Sequence, residues 1–292
     1  MRSAQPNIVL RSYPHWYYLP AGIVFFVMFI VPTVFAFYFS LTRWTLFNAT
    51  FTGLKNYRIF LSDPQLLTGL KNTIIYAVLT SGSKVIIALP LATLLTSPLI
   101  KVKGLLRSLV FFPTLVSTVA VGVTFTALMQ PSTGLINTAL GSLGIAGPDW
   151  LGNPNMALYS VALVDIWRGI GIALVIFMAG ILAIPTAYFD AARLEGGAWV
   201  KFRHIIIPLS RNASFTVILL SLIGGLRSFD LIWTMTQGGP GFASEVLTSV
   251  IFKQYGAGFY GLSTAGNVVL FLMVSVVAYP MMQFFNRREI EL

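Results

Sequence analysis

Long apolar runs alternate with short polar stretches along the whole chain. Six of the runs have roughly the 20 mainly apolar residues that crossing the hydrocarbon of a bilayer requires. They are residues 18–41, 72–96, 105–129, 156–183, 214–235 and 262–285. Inside hydrocarbon every backbone amide must bond within its own segment, so each run is predicted to be a helix. The pattern therefore predicts an all-α integral membrane protein with six transmembrane helices. The first run is longer than the apolar core of a signal peptide, about 7–15 residues, and no small-x-small cleavage pattern follows it, so it reads as a retained span. With no internal repeat or low-complexity tract, the chain divides into an N-terminal segment (1–17), one six-helix membrane domain (18–285) and a tail (286–292).

Composition agrees with this picture. Hydrophobic residues make up 56% of the chain and charged ones 10%, whereas soluble domains carry about a quarter charged residues. The net charge of +10 is a matter of topology. Arg2, Arg11, Lys101, Lys103, Arg107, Arg193, Lys201, Arg203, Arg211, Arg287 and Arg288 fall on one side of the six spans, and Arg43, Lys55, Arg58, Lys71 and Lys253 on the other. By the positive-inside rule the first side is the cytoplasm, which holds both termini of a multi-pass membrane protein. Cations scattered between apolar runs do not make a nucleic-acid surface. Cysteine is absent and the two histidines lie outside the spans, so neither a metal centre nor a nucleophile with its base is predicted.

Five ionisable groups fall in or beside the spans: Lys84, Asp165, Arg168, Arg227 and Asp230. Such groups are costly in hydrocarbon and face a partner or a wet cavity. Asp165 and Arg168 are spaced to share a helix face, as are Arg227 and Asp230. Either each pair neutralises itself and locks helices together, or the groups line a polar cavity near the midplane, where transporters hold substrate. For Lys84, helix packing and cavity lining are both open. Small residues Gly169, Gly171, Ala173 and Gly180 suit close helix contacts.

The longest basic loop, about 185–211, has a pattern of its own. Asp190, Ala191, Ala192, Arg193, Leu194 and Glu195 suit a short helix, Gly196 and Gly197 break it, and Ala198 to His204 can resume it before Pro208. Physically this is either a docking element, with Ala191 and Ala192 permitting close approach, or an amphipathic helix on the membrane. The sequence Asp190-Ala191-Ala192-x-x-Glu195-Gly196-Gly197, with Phe202, Ile205 and Ile207-Pro208-Leu209, resembles the E-A-A-x-x-D-G-A signature of permease subunits of binding-protein-dependent ABC importers. It departs by Asp for the leading Glu, Glu for the Asp and Gly for the last Ala. Gly53-Leu54-x-Asn56-Tyr57, Asn72-Thr73, Trp167-x-Gly169, Phe229-Asp230-Leu231-Ile232 and Gly238-Gly239-Pro240-Gly241 are similar to the carbohydrate branch, on the side of the MalF type.

That resemblance implies a type I permease fold with a cytoplasmic coupling helix made from Asp190, Ala191, Ala192, Arg193, Glu195, Gly196 and Gly197. It implies a MalG-like second permease, two ATP-binding cassette subunits, an external solute-binding protein and a sugar or oligosaccharide as substrate, in the lipid bilayer of a bacterial cytoplasmic (inner) membrane. It also places Asp165, Trp167, Arg168, Gly169, Ser221, Gly225, Arg227, Ser228 and Asp230 on the substrate pathway. Two arginines there add an anionic glycan, or a phosphorylated polyol such as glycerol-3-phosphate, to the options. No Gly-Lys dipeptide occurs, so no phosphate-binding G-x-x-x-x-G-K-[ST] loop is present. This chain is thus expected to be no enzyme and to bind no cofactor, with ATP and Mg used by the separate ATPases. An ion-coupled secondary transporter is the alternative, with only Asp165 and Asp230 to couple an ion.

Overall fold

The computed structural model describes residues 15–286 except 46 and 99, and the side chains of His15, Arg193, Leu194, Glu195 and Asn286 are outside what it describes. Arg2, Arg11, Arg287 and Arg288 also lie outside the described residues. Helix α1 (Trp16–Ser40) leads through a hairpin of β1 (Thr42–Trp44) and β2 (Ala49–Phe51) and the short α2 (Lys55–Ser62) to α3 (Pro64–Thr96). Then come α4 (Lys103–Leu115), α5 (Thr118–Leu128), α6 (Leu135–Ser142) and α7 (Ala157–Leu182). The basic loop folds as α8 (Thr186–Glu195) and α9 (Ala198–Leu209). The chain closes with α10 (Arg211–Leu226), α11 (Asp230–Met235), α12 (Leu247–Gly256) and α13 (Tyr260–Asn286).

Four of these helices, α1, α3, α7 and α13, are long and apolar enough to cross a membrane, and the bent pairs α4 with α5 and α9 with α10 bring the candidate crossings to as many as six. The third crossing is not the straight helix expected over 105–129, because α4 and α5 meet at 97°. Pro113 sits near the end of α4, and Val116 and Ser117 are extended. A proline ring clashes with the preceding turn and lacks an N–H, which weakens this last stretch of α4, and the helix ends two residues later at Leu115. The fifth crossing also differs from the expected 214–235. Its helix starts at Arg211, stops at Leu226, and resumes only at Asp230. Adjacent glycines at 224 and 225 weaken that end, and the Thr248 hydroxyl donates to the freed Ser228 carbonyl. The second helix begins at Pro64 rather than 72, since the Asp63 carboxylate accepts the Gln65 amide at 2.8 Å and caps it.

On the hairpin side, the asparagines of the quoted motifs are structural. Asn56 donates to the carbonyls of Ser40 and Thr42, both at 2.8 Å, and Tyr57 donates to the Ser40 hydroxyl. Asn72 donates to the carbonyls of Ala243 and Glu245, both at 2.9 Å, while Thr73 accepts the Leu247 amide. The motif 238–241 supplies the turn that brings these carbonyls within reach, with Gly238 and Gly241 at φ of 86° and 53°, a region glycine enters without steric cost. Asn72→Ala should strand one buried and one part-buried acceptor, at about 1–3 kcal/mol. A lower melting temperature in detergent, with insertion unchanged, is the expected readout, and an unchanged melting curve would contradict this role.

Helices α3 and α7 form the centre, flanked by α10 and α4. Their apolar contacts fall into two clusters. Tyr76, Val121, Val161, Val164 and Ile232 belong to the one on the hairpin side, and Ala88, Ala92, Leu174, Phe177 and Val217 to the one on the α8 side. Close approach depends on missing side chains, as expected where lipid supplies no hydrophobic drive between helices. A methyl at Gly225 would lie 2.7 Å from Cα of Ala77, and one at Gly180 would lie 2.5 Å from Cβ of Ala213.

Candidate functional site

Between the two apolar clusters, α3, α7 and α10 each place polar residues at the same level. The result is a cavity of about 320 Å³ lined by Lys84, Asp165, Arg168, Ser221, Arg227 and Asp230, among others. Lys84 is buried in α3, and its Nζ meets Oδ2 of Asp165 on α7 at 2.8 Å. This corrects the pairing suggested by spacing. Asp165 bonds across to another helix, and among the described residues no ion pair joins Asp165 to Arg168 or Arg227 to Asp230. The two readings of Lys84 are both realised, since it packs between helices and lines the cavity.

Arg168 is held from the other side. Thr114 on α4 donates to its backbone carbonyl at 2.8 Å, and its buried Nε has no hydrogen-bond partner. Arg227 and Asp230 flank the break between α10 and α11, where both are exposed. Exposed charges at that depth require a wet pathway or another polar surface. With three cations (Lys84, Arg168, Arg227) and two carboxylates (Asp165, Asp230), the lining carries one net positive charge.

Ser228 and Gly169 also line the cavity, but neither glycine opens room for a ligand ring. A methyl at Gly169 would lie 2.4 Å from Cε of Lys84, so its hydrogen leaves space for the lysine. Gly225 is buried against Ala77 and Thr80 and is absent from the lining. Trp167 points away from the cavity and packs on Phe125, with ring centroids 5.1 Å apart. Thr118 and Gly224 line the cavity without having been singled out in the sequence, and Phe229, quoted there only as part of a motif, lines it too. Thr118 sits just past the break after α4, which no apolar pattern discloses.

In the loop, α8 and α9 form the two short helices expected, separated at Gly196 and Gly197. The first starts at Thr186, before Asp190. Ala191 and Asp190 face outward, as do both glycines. Ala192 does not, being 5% exposed, which corrects its assignment to the contact surface. Phe189 turns inward beside it, packs on the apolar cluster of the α8 side and carries the Lys201 ammonium 4.4 Å from its ring centroid. These two inward residues fix the helix to its own bundle. Tyr188 and Trp199 are exposed, a pair of large side chains that the motif did not flag.

A bundle of up to six crossings with a charged cavity between its two apolar clusters and a helical loop on one face has the architecture of a membrane transport permease. Residues 84–291 match the binding-protein-dependent transport system inner membrane component family, and the chain belongs to it. It is 31% identical to the probable ABC transporter permease protein YurN of Bacillus subtilis, over 94% of this chain and 96% of that one. It is also 31% identical to the trehalose/maltose transport system permease protein MalF of Thermococcus litoralis, over 88% of each. Its fold matches a chain of a bacterial ABC transporter involved in the import of the acidic polysaccharide alginate, with a TM-score of 0.78, 20% identity, and coverage of 93% of this chain and 94% of that chain. The protein is therefore a multi-pass permease subunit of an ABC importer, dependent on a binding protein and not itself an enzyme.

Proposed function

We propose that this chain forms half of an ATP-driven pathway for a sugar or oligosaccharide, received from an external solute-binding protein and passed through the midplane cavity. The observation that carries the reading is that cavity. Carboxylate, guanidinium, ammonium and hydroxyl groups converge between apolar walls, which is what recognising many hydroxyls on a ring requires. Sugar-transport relatives, including the Thermococcus litoralis protein and the arabinooligosaccharides permease AraP of Bacillus subtilis at 30% identity over 92% of this chain, support it. A second, MalG-like permease supplies the other wall. Two ATPase subunits use ATP and Mg, and one of them seats on α8 and α9 of this chain; the distribution of cations supports a cytoplasmic side for this loop and for both termini. Uptake of radiolabelled sugars by reconstituted complexes tests the reading. It requires ATP and the loaded binding protein, and uptake of ions or peptides but of no saccharide would overturn it.

The single excess positive charge and the unpartnered Nε of Arg168 favour an acidic glycan over a neutral one. Guanidinium binds carboxylate in a bidentate, charge-assisted way. Arg168→Ala should therefore reduce uptake of uronic-acid oligosaccharides about tenfold or more relative to neutral ones, a difference of ~1.4 kcal/mol. Equal losses for both would remove the case for an acidic substrate.

A further inference from the structure

A second cavity, of about 340 Å³, adjoins the first, and Phe229 lines both. Its other walls are Phe252 and Tyr255 on α12, Asn267 on α13, and Thr248. The rings form a connected set. Phe229 stacks with Trp233 at 5.5 Å and approaches Phe252 at 5.2 Å, and Phe252 meets Trp233 edge-on at 4.8 Å. Tyr255 lies one turn beyond Phe252 on the same helix and continues to Tyr260 at 5.1 Å. Phe252 and Tyr255 are 48% and 59% exposed, so both rings are reachable from outside the bundle.

Asn267 makes this more than an apolar groove. It is exposed within the membrane-crossing α13. Its amide has only a long 3.4 Å bond to the Ser263 carbonyl, and its oxygen accepts no bond among the described residues. A planar amide left open in a spanning helix calls for a polar occupant. Lipid tails offer no hydrogen bonds, whereas a sugar ring offers both an apolar C–H face to the aromatic rings and hydroxyls to the amide.

We infer that this aromatic groove is a second saccharide subsite, in which further rings of an oligosaccharide stack on Phe252 and Tyr255 and bond to Asn267 while its leading ring occupies the midplane cavity. The inference rests on the reading of the substrate as a saccharide. It makes the pathway selective for chain length, because only a substrate long enough to pass Phe229 reaches both sites.

The test measures binding-protein-dependent uptake of a disaccharide and a pentasaccharide of one transported series, in reconstituted complexes carrying Phe252→Leu, Phe252→Trp or Asn267→Leu. Phe252→Leu and Asn267→Leu should each lower pentasaccharide uptake about tenfold and leave disaccharide uptake within about twofold, and Phe252→Trp, which restores a ring face, should recover it. ATPase activity stimulated by the disaccharide reports that the variants are assembled. Equal loss for both lengths, or full function of Phe252→Leu, would overturn the subsite, as would a chemical cross-link from residue 255 to the second permease that persists throughout transport. If the wild-type complex imports no saccharide of any length, the substrate reading beneath the subsite fails, and the subsite with it.

Discussion

Replacing Lys84 with methionine is expected to abolish uptake and to lower the melting temperature of the purified complex. Lys84 and Asp165 retain 9% and 18% of their side-chain exposure, and their 2.8 Å pair ties α3 to α7, the central contact of the bundle. Breaking a buried pair from one side leaves an uncompensated charge, typically a cost of about 3–5 kcal/mol. Replacing both partners with apolar residues often restores stability. The double variant Lys84→Met/Asp165→Leu should thus regain the melting temperature but not uptake, since both side chains also line the cavity. Recovery of both properties in the double variant would reduce the pair to a structural clasp.

Ala191→Arg is expected to detach the ATPase seated on this chain while sparing the membrane domain. Ala191 faces outward on α8 and Ala192 inward, so neighbouring substitutions should fail in different ways. An arginine at 191 would intrude between docked surfaces and should weaken retention of that ATPase by about 2 kcal/mol or more, the loss expected at an interface hot spot and roughly thirtyfold in affinity. The melting curve of the permease pair should not change. Ala192→Arg should instead disturb the bundle that anchors the loop. Copurification with tagged ATPase and a melting curve for each variant separate the two. Retention of ATPase by Ala191→Arg at the wild-type level would move the contact elsewhere.

Six crossings, and a break at Gly196 and Gly197, were legible because length of apolar run and helix-breaking glycines are local properties of the chain. The midplane charges were legible for the same reason, as ionisable residues in hydrocarbon stand out one by one. Their partners were not. Spacing put Asp165 with Arg168 on one face, whereas Lys84, eighty-one positions away, reaches it across the helix contact. Gly169 explains how, by leaving room for the lysine rather than for a ligand. The bends were hidden as well. Pro113 in a membrane helix is compatible with a kink or a full break, and the carbonyl freed at the break after Arg227 is bonded by Thr248 from a later segment. The quoted Asn56 and Asn72 motifs were visible as patterns, but their task of holding the hairpin side together became apparent only from the carbonyls they reach.

The most direct test reconstitutes this chain with its second permease, the ATPases and the loaded binding protein in liposomes, and follows sugar accumulation with and without ATP on the ATPase side. Accumulation that needs ATP, the binding protein and an intact α8 surface is the predicted result. Accumulation by the permease chains alone, driven by an ion gradient without ATP, would contradict the account.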